Sequence, residues 1–362
     1  MCMRKIKTQL QLMDIERYTA DAVALLRRLI ATPSVSRDES AAAGIMYAEM
    51  DRLGMRPCRE ANNVWAVGRY DRRRPTLLLN AHIDTVRPVQ SWTRPPFAPD
   101  IQDGVLYGLG ANDCGGGLVS LLQVFRMLGG GESDYNLVYL ASAEEEVSGS
   151  DGISRALPLL PHIDVAIVGE PTGMQPAVAE KGLMVIDLTV RGKSGHAARG
   201  EGVNALYEAL DDLLWIRDYR FCRVSPYLGS TVMNATVINA GTQHNVVPDE
   251  CRVVIDVRTN ELYTNEEVYG IINSHTRGEC HARSFRLKPS SIDTGHPLVR
   301  RLVDMGKRPF GSPTLSDQAL MPWQSVKIGP GDSARSHSAD EYISIAEIED
   351  AIATYARLLG AR

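Results

Sequence analysis

Hydrophobic and polar residues alternate along the first half of the chain in blocks that predict helices and strands in turn. Apolar residues recur at helical spacing in three segments, which are residues 18–31, 39–53 and 115–128. Short apolar runs, which predict strands, are residues 63–70, 76–80, 136–142 and 165–168. Strands that alternate with helices are typical of a largely parallel sheet covered on both faces. We therefore expect an α/β domain built on a mixed sheet.

The pattern changes near residue 178. The predicted strands are then residues 183–191, 231–238, 251–258 and 283–287, and the predicted helices are residues 203–216 and 265–275. Their order along the chain, βαββαβ, is that of the ferredoxin-like split unit. We predict an inserted α+β domain at residues 178–289. Residues 1–177 and 290–362 then form the first domain.

Composition and charge narrow the classes of function. The length of 362 residues favours two domains, and the net charge of −5 gives no reason to expect nucleic acid or an anionic membrane as partner. The six cysteines are scattered without a Cys-x-x-Cys pair, which indicates free thiols in a reducing compartment. The N-terminus lacks the apolar core of a secretory signal, and no apolar run is long enough for a membrane span. We expect a soluble cytoplasmic protein.

Polar residues follow the apolar run at 76–80 abruptly. His82 and Asp84 lie two residues apart, so on an extended chain their side chains point the same way. A carboxylate beside an imidazole is a common way to orient a metal ligand, because it takes the second ring N–H. A strand that merely ends in a turn is the alternative interpretation of this pair.

Glycines surround the next acidic candidate, Asp113. The segment Gly108-Leu109-Gly110 precedes it, but the third glycine needed for a dinucleotide fingerprint comes too late, at Gly115. The glycines instead indicate that Asp113 approaches another group closely. A carboxylate in such a position has two oxygens with which it can bridge two cations.

Three consecutive acids, Glu144, Glu145 and Glu146, follow the predicted strand at 136–142. Like charges side by side repel each other, and a cation relieves that repulsion. On an extended segment Glu145 and Glu146 point to opposite sides. One of them can then bind a metal ion while the other forms a hydrogen bond with a bound water molecule. An acidic surface loop is the alternative.

Two further candidates follow apolar runs in the same manner. Glu170 comes after residues 165–168, and His337 comes after a strand-like run at 325–328. Two imidazoles and three carboxylates suit zinc before other metals. If Asp113 is shared, each of two metal ions has one histidine and one terminal carboxylate, and a water molecule fits between them, as a two-metal hydrolase needs.

Seven segments together resemble a known family and extend over nearly the whole chain. In order they are HIDTV, GLGANDCGG, AEEEVSG, GEPT, RGKSGHAA, NVVPDECRVVIDVR and SHSADEY. On these motifs the chain is similar to the zinc-dependent amidohydrolase and exopeptidase family that includes acetylornithine deacetylase, succinyl-diaminopimelate desuccinylase and carboxypeptidase G-type enzymes. The resemblance implies a catalytic domain with two zinc ions, for which cobalt is a possible substitute, and an inserted domain that forms a homodimer.

The resemblance also implies the roles of individual residues. The implied metal ligands are His82, Asp113, Glu146, Glu170 and His337. Glu145 carries over as general base, and Asp84 as the residue that orients His82. His196 is expected to donate to the developing oxyanion from the partner subunit. Arg258 offers a bidentate fork for the substrate α-carboxylate, and Asn245 is a further substrate-binding candidate.

The reaction expected from the resemblance is amide hydrolysis of an N-acyl amino acid, with N2-acetylornithine of arginine synthesis as first choice. Succinylornithine, acetylcitrulline, succinyl-diaminopimelate and small peptides are alternative substrates. A non-catalytic metal-binding scaffold is another class of function, and the presence of Glu145 argues against it.

The chain departs from the sequence pattern of this family at two places. Many relatives have Asp where Glu144 stands, and many have Met-Lys where Cys114-Gly115 stands, which leaves the local charge and substrate subclass open.

Overall fold

A computed structural model describes the backbone of residues 2–360 and the side chains of residues 14–360. The N-terminal segment inspected for a signal therefore lies mostly outside the described side chains, as does Cys2. Over the described residues the α-helices are α1 (Cys2–Ile30), α2 (Ser40–Arg52), α3 (Gly116–Leu128), α4 (Ile153–Ala156), α5 (Ala205–Asp218), α6 (Asn265–His275), α7 (Pro297–Asp304) and α8 (Ile345–Leu359). None of these helices combines the length and the apolar character that crossing a bilayer requires.

Sixteen strands occur over the same described residues. They are β1 (Cys58–Glu60), β2 (Asn63–Val67), β3 (Thr76–His82), β4 (Asp100–Gln102), β5 (Val105–Tyr107), β6 (Asn136–Ser142), β7 (Val165–Val168), β8 (Ala177–Glu180), β9 (Met184–Arg191), β10 (Val232–Ala240), β11 (Glu250–Arg258), β12 (Glu279–Ala282), β13 (Ser290–Ser291), β14 (Phe310–Ser312), β15 (Gln324–Lys327) and β16 (Tyr342–Ser344).

The chain divides into two compact units, and the first consists of Met1–Val178, Ile292–Phe310 and Met321–Arg362. Six strands of its main sheet lie side by side in the order β1-β2-β6-β3-β7-β15. The pairs β6–β3, β3–β7 and β7–β15 are parallel, whereas β1–β2 and β2–β6 are antiparallel, which confirms the mixed α/β class. The carboxyl ends of four parallel strands therefore meet at one edge, where open α/β sheets bind their ligands.

The central strands have almost continuously apolar sequences because they are buried on both faces. Every residue of β3 and of β6 is buried, because both faces of the sheet are covered. Helix α3 packs on these two strands, α1 and α8 pack on α3, and α2 packs on β2. This core fixes the sheet edge from which the polar residues after each strand project.

The second unit consists of Ala179–Ser291 and Gly311–Leu320. Its sheet has the order β10-β11-β9-β12, with every pair antiparallel, and α5 and α6 complete the βαββαβ sequence. This arrangement confirms the ferredoxin-like class. Residues of β9 alternate between buried and half-buried, as expected for a strand with one face on the core.

Two details of the second unit differ from the sequence-based expectation. The predicted strand at 283–287 is wrong, since the last strand of this four-stranded sheet is Glu279–Ala282. The Phe285 ring instead packs edge-on against Tyr269 from a loop. The segment Gly311–Leu320, expected in the first domain, groups with the second unit, where the backbone and hydroxyl of Ser316 donate to Glu180.

Candidate metal centre

The predicted ligands lie where the parallel strands end. His82 is the last residue of β3, the three glutamates follow β6, and Glu170 comes two residues after β7. Asp113 lies in the kinked segment Ala111–Gly115 just before α3, where its own backbone is not helical (φ −114°, ψ 100°). The strand ends therefore gather residues that are far apart in sequence, all of them within the first unit.

His82 is buried and oriented on one side by Asp84. Its Nδ1 lies 2.9 Å from the Asp84 carbonyl oxygen and 3.5 Å from Asp84 Oδ1. Since a carbonyl oxygen only accepts, Nδ1 is the donor, and neutral His82 presents the lone pair of Nε2 to the site. That atom lies 3.3 Å from Asp113 Oδ1, 3.4 Å from Glu170 Oε1 and 4.0 Å from Glu145 Oε2.

Asp113 faces both imidazoles, one with each oxygen. Its Oδ1 lies 3.3 Å from His82 Nε2, and its Oδ2 lies 3.6 Å from His337 Nε2. His337 Nε2 also lies 2.9 Å from Glu146 Oε2. The geometry thus groups His82 with Glu170 and His337 with Glu146, and Asp113 lies between the two pairs.

The acidic triplet is a turn rather than an extended segment, so that expectation is wrong. Residues Glu145–Val147 form one 3-10 turn, and Glu144 before it has a left-handed backbone with φ of 53°. In a 3-10 turn successive side chains diverge by about a third of a turn. Glu145 is thereby directed towards His82 and Glu146 towards His337, while the Glu144 carboxylate accepts from Asp151 N.

Sequence reasoning missed Glu341, which holds the turn that carries Asp113. Its buried carboxylate accepts from the backbone N of Gly110 (3.1 Å), Asn112 (2.8 Å) and Asp113 (2.9 Å). Burial raises the pKa of Glu341 to about 7, against the lowering effect of these backbone donors. The only sequence signal was its place in the SHSADEY segment beside His337.

The clustered acids and imidazoles shift each other's pKa values. Burial raises the pKa of Glu170 to about 8, and the nearby His82 offsets part of this effect. The hydrogen bond to Glu146 raises the pKa of His337 to about 9. Burial lowers the pKa of His82, but Cys114 and the surrounding carboxylates outweigh burial and raise it well above its ordinary value. Shifts of this kind cluster at functional sites.

The donor set fits divalent metal ions. Among the described side chains, the buried Glu170 Oε1 has no hydrogen-bond partner, and it faces the imidazole of His82. A buried carboxylate oxygen without a donor is costly, and a cation satisfies it. Imidazole nitrogen and carboxylate oxygen are the ligands that zinc prefers, together with thiolate. Two groups offer ligand atoms within 4.8 Å of one another, His82–Asp113–Glu146 and His82–Cys114–Glu170.

His196 and Asn245 lie in the second unit and adjoin each other. His196 forms a bridge with Val246, and Ala197 N donates to the Asn245 carbonyl oxygen at 3.1 Å. The exposed His196 accepts from Ala198 N through Nδ1 at 3.2 Å. Because Nδ1 accepts, neutral His196 carries its proton on Nε2 and presents that N–H as a donor.

Arg258 is the last residue of β11, and its guanidinium group pairs with the carboxylate of Asp256 in the same strand. Its Nε lies 2.8 Å from Asp256 Oδ1 and its Nη2 lies 3.1 Å from Asp256 Oδ2. This bidentate pair has the geometry that a substrate carboxylate would adopt on the same fork. A substrate carboxylate that binds the same Nε–Nη2 edge of Arg258 therefore has to displace Asp256.

The fold and the metal centre together define a metal-dependent hydrolase of the mixed α/β class. Residues 78–361 match the model of peptidase family M20/M25/M40, and the chain therefore belongs to this family. Its members are metallo-hydrolases that act on amide bonds.

Two curated relatives show the range of substrates among similar proteins. Succinyl-diaminopimelate desuccinylase 2 of Ruegeria sp. (strain TM1040) is 25% identical over 387 residues, covering 95% of this chain and 95% of its own length. Acetylornithine deacetylase of Pectobacterium carotovorum is 29% identical over 361 residues, covering 89% of this chain and 92% of its own length.

Solved structures share the fold across nearly the full chain. An M20 family metallo-carboxypeptidase from Sulfolobus solfataricus has a TM-score of 0.71 at 19% identity, covering 93% of this chain and 98% of its own. A dinuclear metal-binding peptidase of the M20 family from Bacillus subtilis has a TM-score of 0.72 at 17% identity, covering 95% and 98%. These similarities establish the fold.

Proposed function

We propose that the protein hydrolyses the amide bond of N-acyl amino acids with two zinc ions per chain. The observation that carries this proposal is the position of Asp113, whose two oxygens face His82 and His337 at 3.3 and 3.6 Å. His82 with Glu170 would hold one ion, and His337 with Glu146 would hold the other. When bound, the ions supply a Lewis acid for the scissile carbonyl and lower the pKa of a water molecule.

The protein's own residues then move the proton. Glu145 would take the proton of the attacking water and deliver it to the leaving amine. Its carboxylate lies beside the imidazole of His82, with Oε2 4.0 Å from Nε2, which supports this role. Asp84 keeps that imidazole in the tautomer with the lone pair on Nε2. The Nε2–H of His196 would stabilise the developing oxyanion.

Substrate selection is assigned to the second unit. Arg258 would bind the α-carboxylate after exchange of Asp256, and Asn245 would contribute a neutral contact from the segment that supports His196. Deacetylation of N2-acetylornithine is the preferred reaction, and the similarity to acetylornithine deacetylase at 29% identity supports it. That reaction would place the protein in arginine biosynthesis, in the cytoplasm.

A peptidase is the second candidate, because the same metal centre serves both reactions. Three of the structural neighbours are an aminopeptidase from Bacillus cereus, a tripeptidase from Staphylococcus aureus and the Sulfolobus metallo-carboxypeptidase. Succinylated amino acids are a third candidate substrate class, supported by the desuccinylase relative at 25% identity. A succinyl group carries a carboxylate that an acetyl group lacks.

A homodimer through the second unit is part of the proposal. β10 is an end strand of its sheet, and eight of its nine residues are exposed. The neighbouring helix α5 exposes three large apolar side chains, Tyr207, Leu210 and Leu214. An exposed edge strand with apolar residues beside it is a ready template for pairing with another chain.

A substrate panel tests the proposed function. Acetylornithine, succinylornithine, acetylcitrulline, succinyl-diaminopimelate and simple dipeptides are offered to the zinc-loaded and cobalt-loaded protein. We expect the highest kcat/KM for acetylornithine. Preference for a dipeptide or for a succinylated substrate would reassign the protein within the family, and no turnover of any amide would contradict the proposal.

A further inference from the structure

Four consecutive backbone N–H groups at the end of β6 donate to side chains rather than to a neighbouring strand. These groups belong to Ala143 and to the acidic turn, which is the triplet Glu144, Glu145 and Glu146. The donor and acceptor pairs are Ala143 N to Asn63 Oδ1 (3.1 Å), Glu144 N to Glu39 Oε1 (3.2 Å), Glu145 N to Asp84 Oδ1 (3.0 Å) and Glu146 N to Asp84 Oδ2 (3.2 Å).

The three acceptors come from separate parts of the first unit and are all buried. Glu39 and Asn63 are 0% exposed and Asp84 is 1% exposed. Glu39 immediately precedes α2, Asn63 begins β2, and Asp84 follows β3. Because the acceptors lie in or directly beside three different elements, the backbone of the acidic turn is held from three directions.

Glu39 uses its carboxylate in an unusual way for its position. A side chain directly before a helix commonly accepts from the first N–H groups of that helix. The carboxylate of Glu39 instead accepts from Arg37 N at 2.6 Å, from Glu144 N at 3.2 Å and from Asn62 Nδ2 at 3.0 Å. Burying a carboxylate is costly unless donors satisfy it, and the acidic turn supplies one of these donors.

The turn needs such support because Glu144 has a left-handed backbone, with φ of 53°. For a residue with a side chain this conformation costs roughly 1–2 kcal/mol. It also reverses the chain so that the next two carboxylates face different imidazoles. A turn that relaxed by even a small rotation would redirect both of them.

We propose that Glu39 and Asn63 are positioning residues, which fix the directions of Glu145 and Glu146 by binding the backbone of the acidic turn. Asp84 shares this task in addition to orienting His82. The inference rests on the proposed function, in which Glu145 is the base and Glu146 a metal ligand.

Variants of Glu39 test the inference in the metal-loaded protein. Glu39→Ala removes the acceptor of Glu144 N, while Glu39→Gln keeps an acceptor oxygen at the same reach. We expect Glu39→Ala to lower kcat by about 10- to 100-fold, the range seen for outer partners of metal sites, while KM stays nearly constant. We expect Glu39→Gln to restore most of the activity.

A second readout does not depend on the substrate. The visible absorption spectrum of the cobalt-loaded protein without substrate should shift in Glu39→Ala and return in Glu39→Gln, since it reports the ligand field that Glu146 contributes. The matched control is Asn62→Ala, which removes another partner of the same carboxylate but leaves the bond to Glu144 N. We expect this variant to behave as the wild type.

The outcomes separate the inference from the proposed function. A folded Glu39→Ala variant with wild-type spectrum and kcat would overturn the positioning role, whichever substrate is cleaved. If Glu39→Ala does not fold, Glu39→Asp replaces it, because the shorter side chain keeps the charge but withdraws the acceptor from Glu144 N. Equal spectra for Glu39→Asp and Glu39→Gln would then overturn the inference.

Discussion

Glu145 and Glu146 are neighbours in the chain, yet their carboxylates face different imidazoles. Glu145 Oε2 lies 4.0 Å from His82 Nε2, and Glu146 Oε2 lies 2.9 Å from His337 Nε2. The difference follows from the 3-10 turn and from the left-handed Glu144 before it. At the scale of the residue, a one-position change of register would exchange the base and the metal ligand.

Substitution of each glutamate by glutamine separates the two roles. Glu145→Gln should keep its metal ions and its fold but lose about 10²- to 10⁴-fold in kcat, because an amide cannot accept the proton of water. Glu146→Gln should bind less metal. Metal analysis and steady-state kinetics of both variants check this. Loss of metal from the Glu145 variant alone would show that the roles are reversed.

Asp256 competes with the substrate for Arg258 if the proposed recognition holds. Asp256→Asn should then lower KM for substrates with a free α-carboxylate by up to about fivefold, since ion pairs that solvent still reaches contribute about 1 kcal/mol or less. Arg258→Lys should raise KM for the same substrates, because lysine lacks the planar fork. Kinetics on paired substrates with a free and with an amidated carboxylate measure both effects. Unchanged KM in both variants would make the pair structural.

At the scale of the element, the sequence predicts those features that periodicity and strand ends encode. The buried run of β3 and the acids after β6 and β7 were recognisable because parallel strands end at one edge. The side chains that hold these acids in place could not be recognised from the sequence. Glu39 and Glu341 bond to backbone N–H groups of residues distant in sequence, and such contacts leave no local pattern. The left-handed backbone of Glu144 could not be predicted either, because such a conformation is usually indicated by a glycine, and this position holds a glutamate.

The end strand β10 carries the prediction at this scale. Ile238→Lys places a charge on a strand side chain that is 47% exposed, so it should leave the fold intact and weaken the proposed dimer. Light scattering coupled to size exclusion should give a smaller mass at low protein concentration. Val303→Lys, at an apolar residue of α7 that is 48% exposed, is the matched control and should leave the mass unchanged. Equal masses for the wild type and Ile238→Lys would contradict the proposed interface.

At the scale of the whole molecule, the proposed base and the proposed oxyanion donor belong to different units of the chain. If His196 acts on the partner subunit, Glu145→Gln damages its own site and His196→Ala damages the neighbouring one. A mixed dimer of the two inactive variants would contain one intact site. Mixing them under conditions of subunit exchange should therefore recover activity. Confirmed exchange without recovered activity would show that His196 acts within its own chain or has no catalytic role.

The central claim is a pair of metal ions that share Asp113. It is tested most directly by removing metal with a chelator, restoring activity with zinc, and measuring the zinc content per chain of the active protein. The account predicts that activity is lost on chelation and returns with two zinc ions per chain, because five ligands with one bridging carboxylate complete two sites. Full activity with one zinc ion per chain, or with none, would contradict it.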